Sequence, residues 1–408
     1  MSEKLDGSQP EDVQSEEGRA FSSFRDQLDS ETETIRIPLS KESSLETNLA
    51  IINTIFDRLY SQVIIEIREN PDPEKWMEKL NETTKGFLAE LDQEFSEDTE
   101  SSKRFQLENE ILIRASFVYS LVLSHLRERK DQGEELSIPK EYYVISADLH
   151  NAMAYFYLEA FDEKDNFQAD EFNQKLRIIQ RICSRRDIKE FFGERKYEEF
   201  ITGLSGLLSV VEFCRSNDID FAIPDGEQDA RDSIDLVILH GLSEEEIEST
   251  RDAIQGRRIL DWPKELRSKV SLLQIKSRGL EKNSVSPTHR IEASQSTVDI
   301  PQEVMRISEK WRGYVGYFLT LNKHNISSDY QISDTTFTSR IELEDSRGET
   351  VESLSVLLGG DLLKQEVDFL ERRRRAGSLR TEQTGVPTRR GRKKSFIPTN
   401  GEKIRRYG

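Results

Sequence analysis

The feature that most constrains this chain is a change of hydrophobic period near residue 217. From Glu46 to Ser216 the apolar residues recur every three or four positions, the spacing of amphipathic helices. Beyond that point they come in short runs: "IDFAI" at 219–223, "SIDLVIL" at 233–239 and "VSLLQIK" at 270–276. These runs are apolar, largely β-branched and bounded by turn residues, which marks strands. A chain patterned in this way folds as a helical part followed by a part that contains a sheet.

The helical part reads as a bundle. The stretch 46–70 puts Ile52, Ile55, Phe56, Leu59, Val63 and Ile67 on one face, and "NPDP" ends it, because proline blocks helix propagation and restricts the residue before it. Pro73 suits the first turn of a second helix running to about Phe95. A third is expected over 101–130 and a fourth over 139–161. The fourth is rich in aromatics (Tyr142, Tyr143, Tyr155, Phe156, Tyr157), read as core residues. A fifth is expected over 166–192 and one more over 194–216.

After the second strand, Ser243 is followed by Glu246 three residues later, the pattern of a capping box, so a helix is expected between the second and third strands. A helix from Pro301 and a strand over 314–321 complete the order helix, strand, strand, strand, helix, strand. A further strand or hairpin is expected within 330–350 and a last helix over 361–371. The fold class is therefore α+β: an all-α N-terminal domain, then a small α/β core with disordered termini. The expected divisions are an acidic disordered segment (1–45), the helical domain (46–192), the α/β domain (193–325), a C-terminal hairpin and helix (326–371) and a disordered basic tail (372–408).

Charge divides the chain as sharply as period does. The net charge is −19, yet from Arg372 onward 13 Lys/Arg face 2 Asp/Glu, so a tail of +11 is joined to a body of −30. An acidic body repels nucleic acid, so any polyanion partner is expected at the tail, which includes "RRGRKK" at 389–394. The helical domain, with its long amphipathic faces, is the expected docking surface for a protein partner. No apolar run approaches the ~18 residues of a bilayer span, and the opening "MSEKLDGSQPEDVQSEE" lacks the basic start and apolar core of a secretory signal, so no membrane association is expected. Two isolated cysteines, Cys183 and Cys214, make neither a disulfide framework nor a CxxC site, and a cytoplasmic location is expected.

The chemistry sits in the strands. Residues two apart on a strand point the same way, so Gln274 and Lys276 emerge side by side while Leu273 and Ile275 pack on the other face. Asp235 interrupts the apolar run of the second strand. Buried charges need a partner or a metal, and neighbouring strands would bring Asp235, Gln274 and Lys276 together. One carboxylate and one amide oxygen are hard ligands suited to Mg²⁺. A metal held there polarises a phosphate and acidifies a water, and a lysine beside it stabilises developing charge.

The element order with "IDLVI" and "LLQIKSR" resembles the PD-(D/E)XK, or restriction-endonuclease-like, nuclease superfamily. The resemblance covers roughly 194–321. It places the family's metal-binding aspartate on Asp235 and its catalytic lysine on Lys276, and it implies a metal-dependent DNA or RNA phosphodiesterase. Gln274 stands where the family signature has Asp or Glu, so it enters as a neutral ligand through its carbonyl oxygen. Many members add a glutamate from the preceding helix, for which Glu212 is the candidate; Asp229 and Glu227 are further candidate ligands. The stretch 200–238 is also similar to nuclease-like domains of bacterial proteins. The alternative is a non-enzymatic interaction or scaffold protein with an inactive nuclease-like core. The five histidines (125, 150, 240, 289, 324) show no HxxxH or HExxH spacing and are read as ordinary core or surface residues.

Overall fold

The computed structural model describes residues 21, 24, 38–69, 73–95, 101–162, 165–278, 306, 307, 309–311, 314–323, 326–331, 339–341 and 358. The chain divides into two compact units, Met1–Leu363 and Lys364–Gly408; all the described residues belong to the first. The tail, the helix expected over 361–371 and most of the 330–350 segment lie outside the described residues.

The helices follow the apolar spacing closely. They are α1 (Leu45–Glu69), α2 (Pro73–Glu94), α3 (Ser101–Asp131), α4 (Lys140–Glu159), α5 (Ala169–Ser184), α6 (Arg186–Phe192) and α7 (Lys196–Ser216). Helix α3 is the hub: α1, α2, α4 and α5 all pack on it. Its residues Ile111, Leu112, Ile113 and Ala115 are fully buried in succession, which is the mark of a helix enclosed on every side. Among the described residues no helix is long and apolar enough to cross a membrane.

One expectation needs correction here. The helix expected over 166–192 is two helices, because Arg185 is extended between them (φ −64°, ψ 140°). Its guanidinium pairs with Asp57 of α1 at 2.6 Å and with Asp187 at 2.7 Å, and Asp187 accepts from the Ile188 N–H to start the next helix. Most of the segment 1–45, expected to be largely disordered, lies outside the described residues; of those described, Phe21, Phe24 and Leu39 are buried. Phe24 packs edge-on against Tyr119, and its N–H donates to Asp148 at 2.7 Å.

The sheet has five strands in the order of the chain: β1 (Phe221–Ala222), β2 (Leu236–Leu239), β3 (Val270–Arg278), β4 (Val315–Asn322) and β5 (Ser339–Ile341). The first strand is only two residues long where five were expected. Neighbours are antiparallel except β3 and β4, which run parallel. A parallel pair needs a crossover, and the described helical residues 306, 307, 309 and 310 lie in that connection. Gly316 on β4 has no room for a Cβ because the Trp311 ring and the Leu272 carbonyl occupy its place, so the crossover sits directly on the strands. Between β2 and β3 lies α8 (Glu244–Ile254), whose Ser243–Glu246 capping box is present.

One face of the sheet is a core of Val237, Leu239, Val270, Leu272, Trp262, Trp311 and Phe318. The opposite face meets α7. A Cβ at Gly206 would lie 2.8 Å from Ser277 Cβ and 3.4 Å from Ile275 Cγ2, so the missing side chain lets the helix press onto β3. Helix α7 also packs on α4, and so joins the bundle to the sheet.

Candidate active site

The loop between β1 and β2 is built to deliver two carboxylates. Asp225 accepts from the Gln228 N–H at 2.8 Å and from the Gly256 N–H at 2.7 Å, opening a helical turn. That turn widens into a π-helical segment, Gln228–Asp232, a form that carries one extra residue and recurs at functional sites. It closes on Ser233 in the left-handed region (φ 61°), whose N–H donates to the Asp229 carbonyl at 2.9 Å. Asp232 is buried and accepts from the Ile259 N–H, while its own carbonyl takes the Trp311 indole N–H at 2.7 Å. Lys310 donates to Ser233 Oγ at 2.8 Å. The corner is thus held from three sides, and Asp229 and Asp235 are the two of its acids that line the cleft.

Beyond Leu236, β2 turns away and leaves the edge of β3 unpaired from Gln274 onward. The last ladder bond is the Asp235 N–H donating to the Leu273 carbonyl at 2.8 Å. The Asp235 side chain then takes over. Its Oδ2 accepts from Gln274 Nε2 at 2.5 Å and from the Ile275 N–H, standing in for the missing strand. Asp229 lines the same cleft beside Asp235, and the two carboxyls act on each other. Burial pushes the Asp229 carboxyl well above its usual range, and the negative charge of Asp235 pushes it further. Burial also raises Asp235, against the pull of Lys276, the Ile275 N–H, Asp229 and Gln274. Like charges in one buried site cannot both ionise cheaply, which is why both carboxyls are held above their usual range.

These groups line a cleft of about 540 Å³. The sheet side contributes Asp229, Asp235, Gln274, Lys276 and Ser277, so the residues picked from the strands do converge. The bundle supplies the other side: Leu123 and Arg127 of α3, Tyr143, Ser146, Ala147 and His150 of α4, and Gly203 and Leu207 of α7. His150 Nδ1 lies 2.9 Å from the Ser146 carbonyl. Burial lowers the imidazole pKa and Lys276 lowers it further, against the Ser146 carbonyl and Asp235.

Tyr143 and His150 were read as ordinary residues and Arg127 drew no notice. The signal for Tyr143 and His150 was present in α4: the lining positions 143, 146, 147 and 150 follow the i, i+3, i+4, i+7 stripe.

Glu212 does not join the cleft. Its carboxylate accepts from Arg215 at 2.9 and 3.0 Å, from Ser216 Oγ at 2.6 Å and from the Tyr157 hydroxyl at 2.8 Å. Burial raises its pKa, but these four contacts outweigh burial and hold it below the usual range. The face of α7 that does line the cleft presents Gly203 and Leu207, neither of them an acid. Glu227 pairs with Arg231 at 3.0 Å. His240 Nε2 lies 2.8 Å from Ser271 Oγ, and burial pushes it down to about 4. Among the described residues no group of three His, Cys, Asp or Glu is arranged to hold a metal ion. Both cysteines are buried and unpaired by disulfide.

The chain matches no family model, no curated protein and no solved structure. The reading of the site therefore stands on its geometry.

Proposed function

We propose that this cleft is the phosphodiester-cleaving site of a nuclease-like protein related to the PD-(D/E)XK superfamily. The observation that carries the reading is the joining of Asp235, at the head of β2, to Gln274 on β3, with Lys276 two residues on and all three lining one cleft. The sheet supports it. Three strands in antiparallel sequence are followed by a crossover and a fourth strand parallel to the third, which agrees with the expected order of three strands, a helix and a strand.

The donor set suits Mg²⁺. This ion is commonly held by one or two carboxylates, with water and substrate phosphate completing its shell. Asp229, Asp235 and the carbonyl oxygen of Gln274 would hold it, its charge offsetting the repulsion between the two acids. When bound, the ion supplies charge neutralisation at the phosphate and a more acidic water. Lys276 stands beside the carboxylates, so its ammonium orients the attacking water and stabilises the negative charge that grows on the phosphate oxygens. His150, held toward its neutral form by burial, is positioned to accept a proton rather than add positive charge. The basic tail would hold the rest of the polyanion, since a body of −30 cannot.

A second reading is an interaction protein with a core that has lost activity. It is favoured by Gln274 in place of an acid and by the hydrogen bonds that tie Asp235 to Gln274 and the Ile275 N–H, which form a self-contained structural cluster. The test is cleavage of labelled DNA and RNA with Mg²⁺ or Mn²⁺ against a chelated control. Metal-dependent cleavage that Lys276→Ala abolishes supports the nuclease. No cleavage of either nucleic acid, with thermal stability indifferent to both metals, overturns it in favour of the interaction protein.

A further inference from the structure

The far wall of the cleft limits what can reach the carboxylates. That wall is helical, and its residues Ser146, Ala147 and Gly203 are small, which is what keeps the space open. A volume near 540 Å³ holds a ligand of roughly drug size, about one or two nucleotides. A duplex, whose major groove alone is about 12 Å wide, calls for an open face rather than a slot between a bundle and a sheet edge.

Arg127 marks the bundle side of this slot. Its guanidinium lies over the Tyr143 ring, 4.6 Å from the centroid. It is exposed, and among the described residues it joins no carboxylate. Several other arginines of this acidic body are paired, among them Arg104 with Asp92, Arg114 with Glu110, Arg129 with Glu134, Arg185 with Asp57 and Arg215 with Glu212; Arg68 and Arg267 lie over aromatic rings as Arg127 does, but of the three only Arg127 lines the cleft. A planar fork supported on an aromatic face offers two donors to a phosphate, and base stacking on such a platform is how unpaired strands are held without sequence preference.

We infer that the cleft takes unpaired nucleotides of single-stranded nucleic acid and excludes duplex, with Arg127, backed by Tyr143, gripping a phosphate beside the one at Lys276. The inference rests on the reading of the Asp229–Lys276 site as a nuclease centre and names its substrate class. Single-stranded DNA and RNA share the phosphate and the exposed bases, and the two are separated by experiment.

The test is fluorescence anisotropy with the full chain in a chelator, using a labelled short single-stranded DNA, the same sequence as RNA, and the matching duplex. Two variants accompany the wild type. Arg127→Ala removes an exposed side chain. Gly203→Leu places bulk in the slot at a position where a Cβ makes only ordinary contact, 3.6 Å from His150 Nε2. Single strands are expected to bind more tightly than duplex, and each variant to weaken single-strand binding by about tenfold. Duplex binding, carried by the tail, should not change. Wild-type single-strand affinity in both variants, or equal losses for duplex, overturns the inference.

Cleavage of the same oligonucleotides with Mg²⁺ separates this from the parent reading. Equal rates on duplex and single strand sink the substrate class and leave the nuclease. Absence of cleavage with the binding pattern intact sinks the nuclease and leaves the single-strand site.

Discussion

Asp235 and Gln274 meet through one 2.5 Å hydrogen bond, with the amide nitrogen donating to Oδ2 of the carboxylate. The same oxygen also takes the Ile275 N–H. The aspartate therefore does two jobs: it finishes the edge of β3 where β2 has turned away, and it presents a charge to the cleft. Glutamine suits this neighbourhood because an acid there would be the third beside Asp229 and Asp235.

Gln274→Glu should make that conflict measurable. In a chelator the added charge meets two buried acids that already repel each other, and stability should fall by about 1–3 kcal/mol. With Mn²⁺ or Mg²⁺ at roughly a hundredfold over the dissociation constant, binding should return about 2.7 kcal/mol. Thermal melts with and without metal read both effects. A variant whose melting temperature ignores the ions counts against a metal site.

Lys276→Ala separates catalysis from structure. The lysine is only partly buried, so its loss should lower stability by no more than about 1 kcal/mol. Cleavage should fall by a factor on the order of a hundred or more. Denaturant unfolding and turnover are measured on the same preparation. A large loss of stability with unchanged turnover would show a purely structural lysine.

The pH dependence of stability should fall with the acid pair. Asp229 titrates well above the usual range in the fold, so the folded state holds its proton more tightly than the unfolded chain does. Stability from this group is intact below the unfolded value of 3.8 and drains as pH rises toward the raised folded value. Asp229→Asn, which mimics the protonated form, should be more stable than wild type at neutral pH. It should gain about 1.4 kcal/mol for each pH unit by which the folded value is raised, and the gain should vanish below that lower limit. Chemical denaturation across pH gives the curve; a wild type that grows more stable over this span relative to the variant contradicts it.

Glu212→Ala should behave in the opposite way to Lys276→Ala. Removing this carboxylate strands Arg215, Ser216 and the Tyr157 hydroxyl and should lower stability by about 1–3 kcal/mol. Cleavage per folded molecule should be unchanged. If turnover instead collapses in a folded, stable variant, Glu212 belongs to the site after all.

The parts of the molecule written in local pattern were legible. The turn from helix to strand, the Ser243–Glu246 cap, and the pairing of Asp235 with Gln274 and Lys276 all follow from residue spacing and from the penalty on lone buried charge. What escaped depended on contacts distant in sequence. Arg185 breaks a helix because Asp57, far back on α1, takes its guanidinium. Phe21 and Phe24 look like part of a polar, acidic segment, but Tyr119 and Phe156 give them a core to enter. Glu212 had the right residue type on the right helix, and only the neighbours it faces, Tyr157 above all, show that it is already occupied. Arg127 and Tyr143 could not be read as a pair until α3 and α4 were set side by side.

The π-helical turn at Gln228–Asp232 means that this site is written partly in the count of residues rather than in their kind. Removing one residue from that turn would leave every acid in the sequence. The segment would relax toward an ordinary α-helix, and Asp229 would swing by about 100° around the axis, away from Asp235. Relatives that keep the aspartates but lose that single extra residue would therefore carry the letters of the site without its geometry.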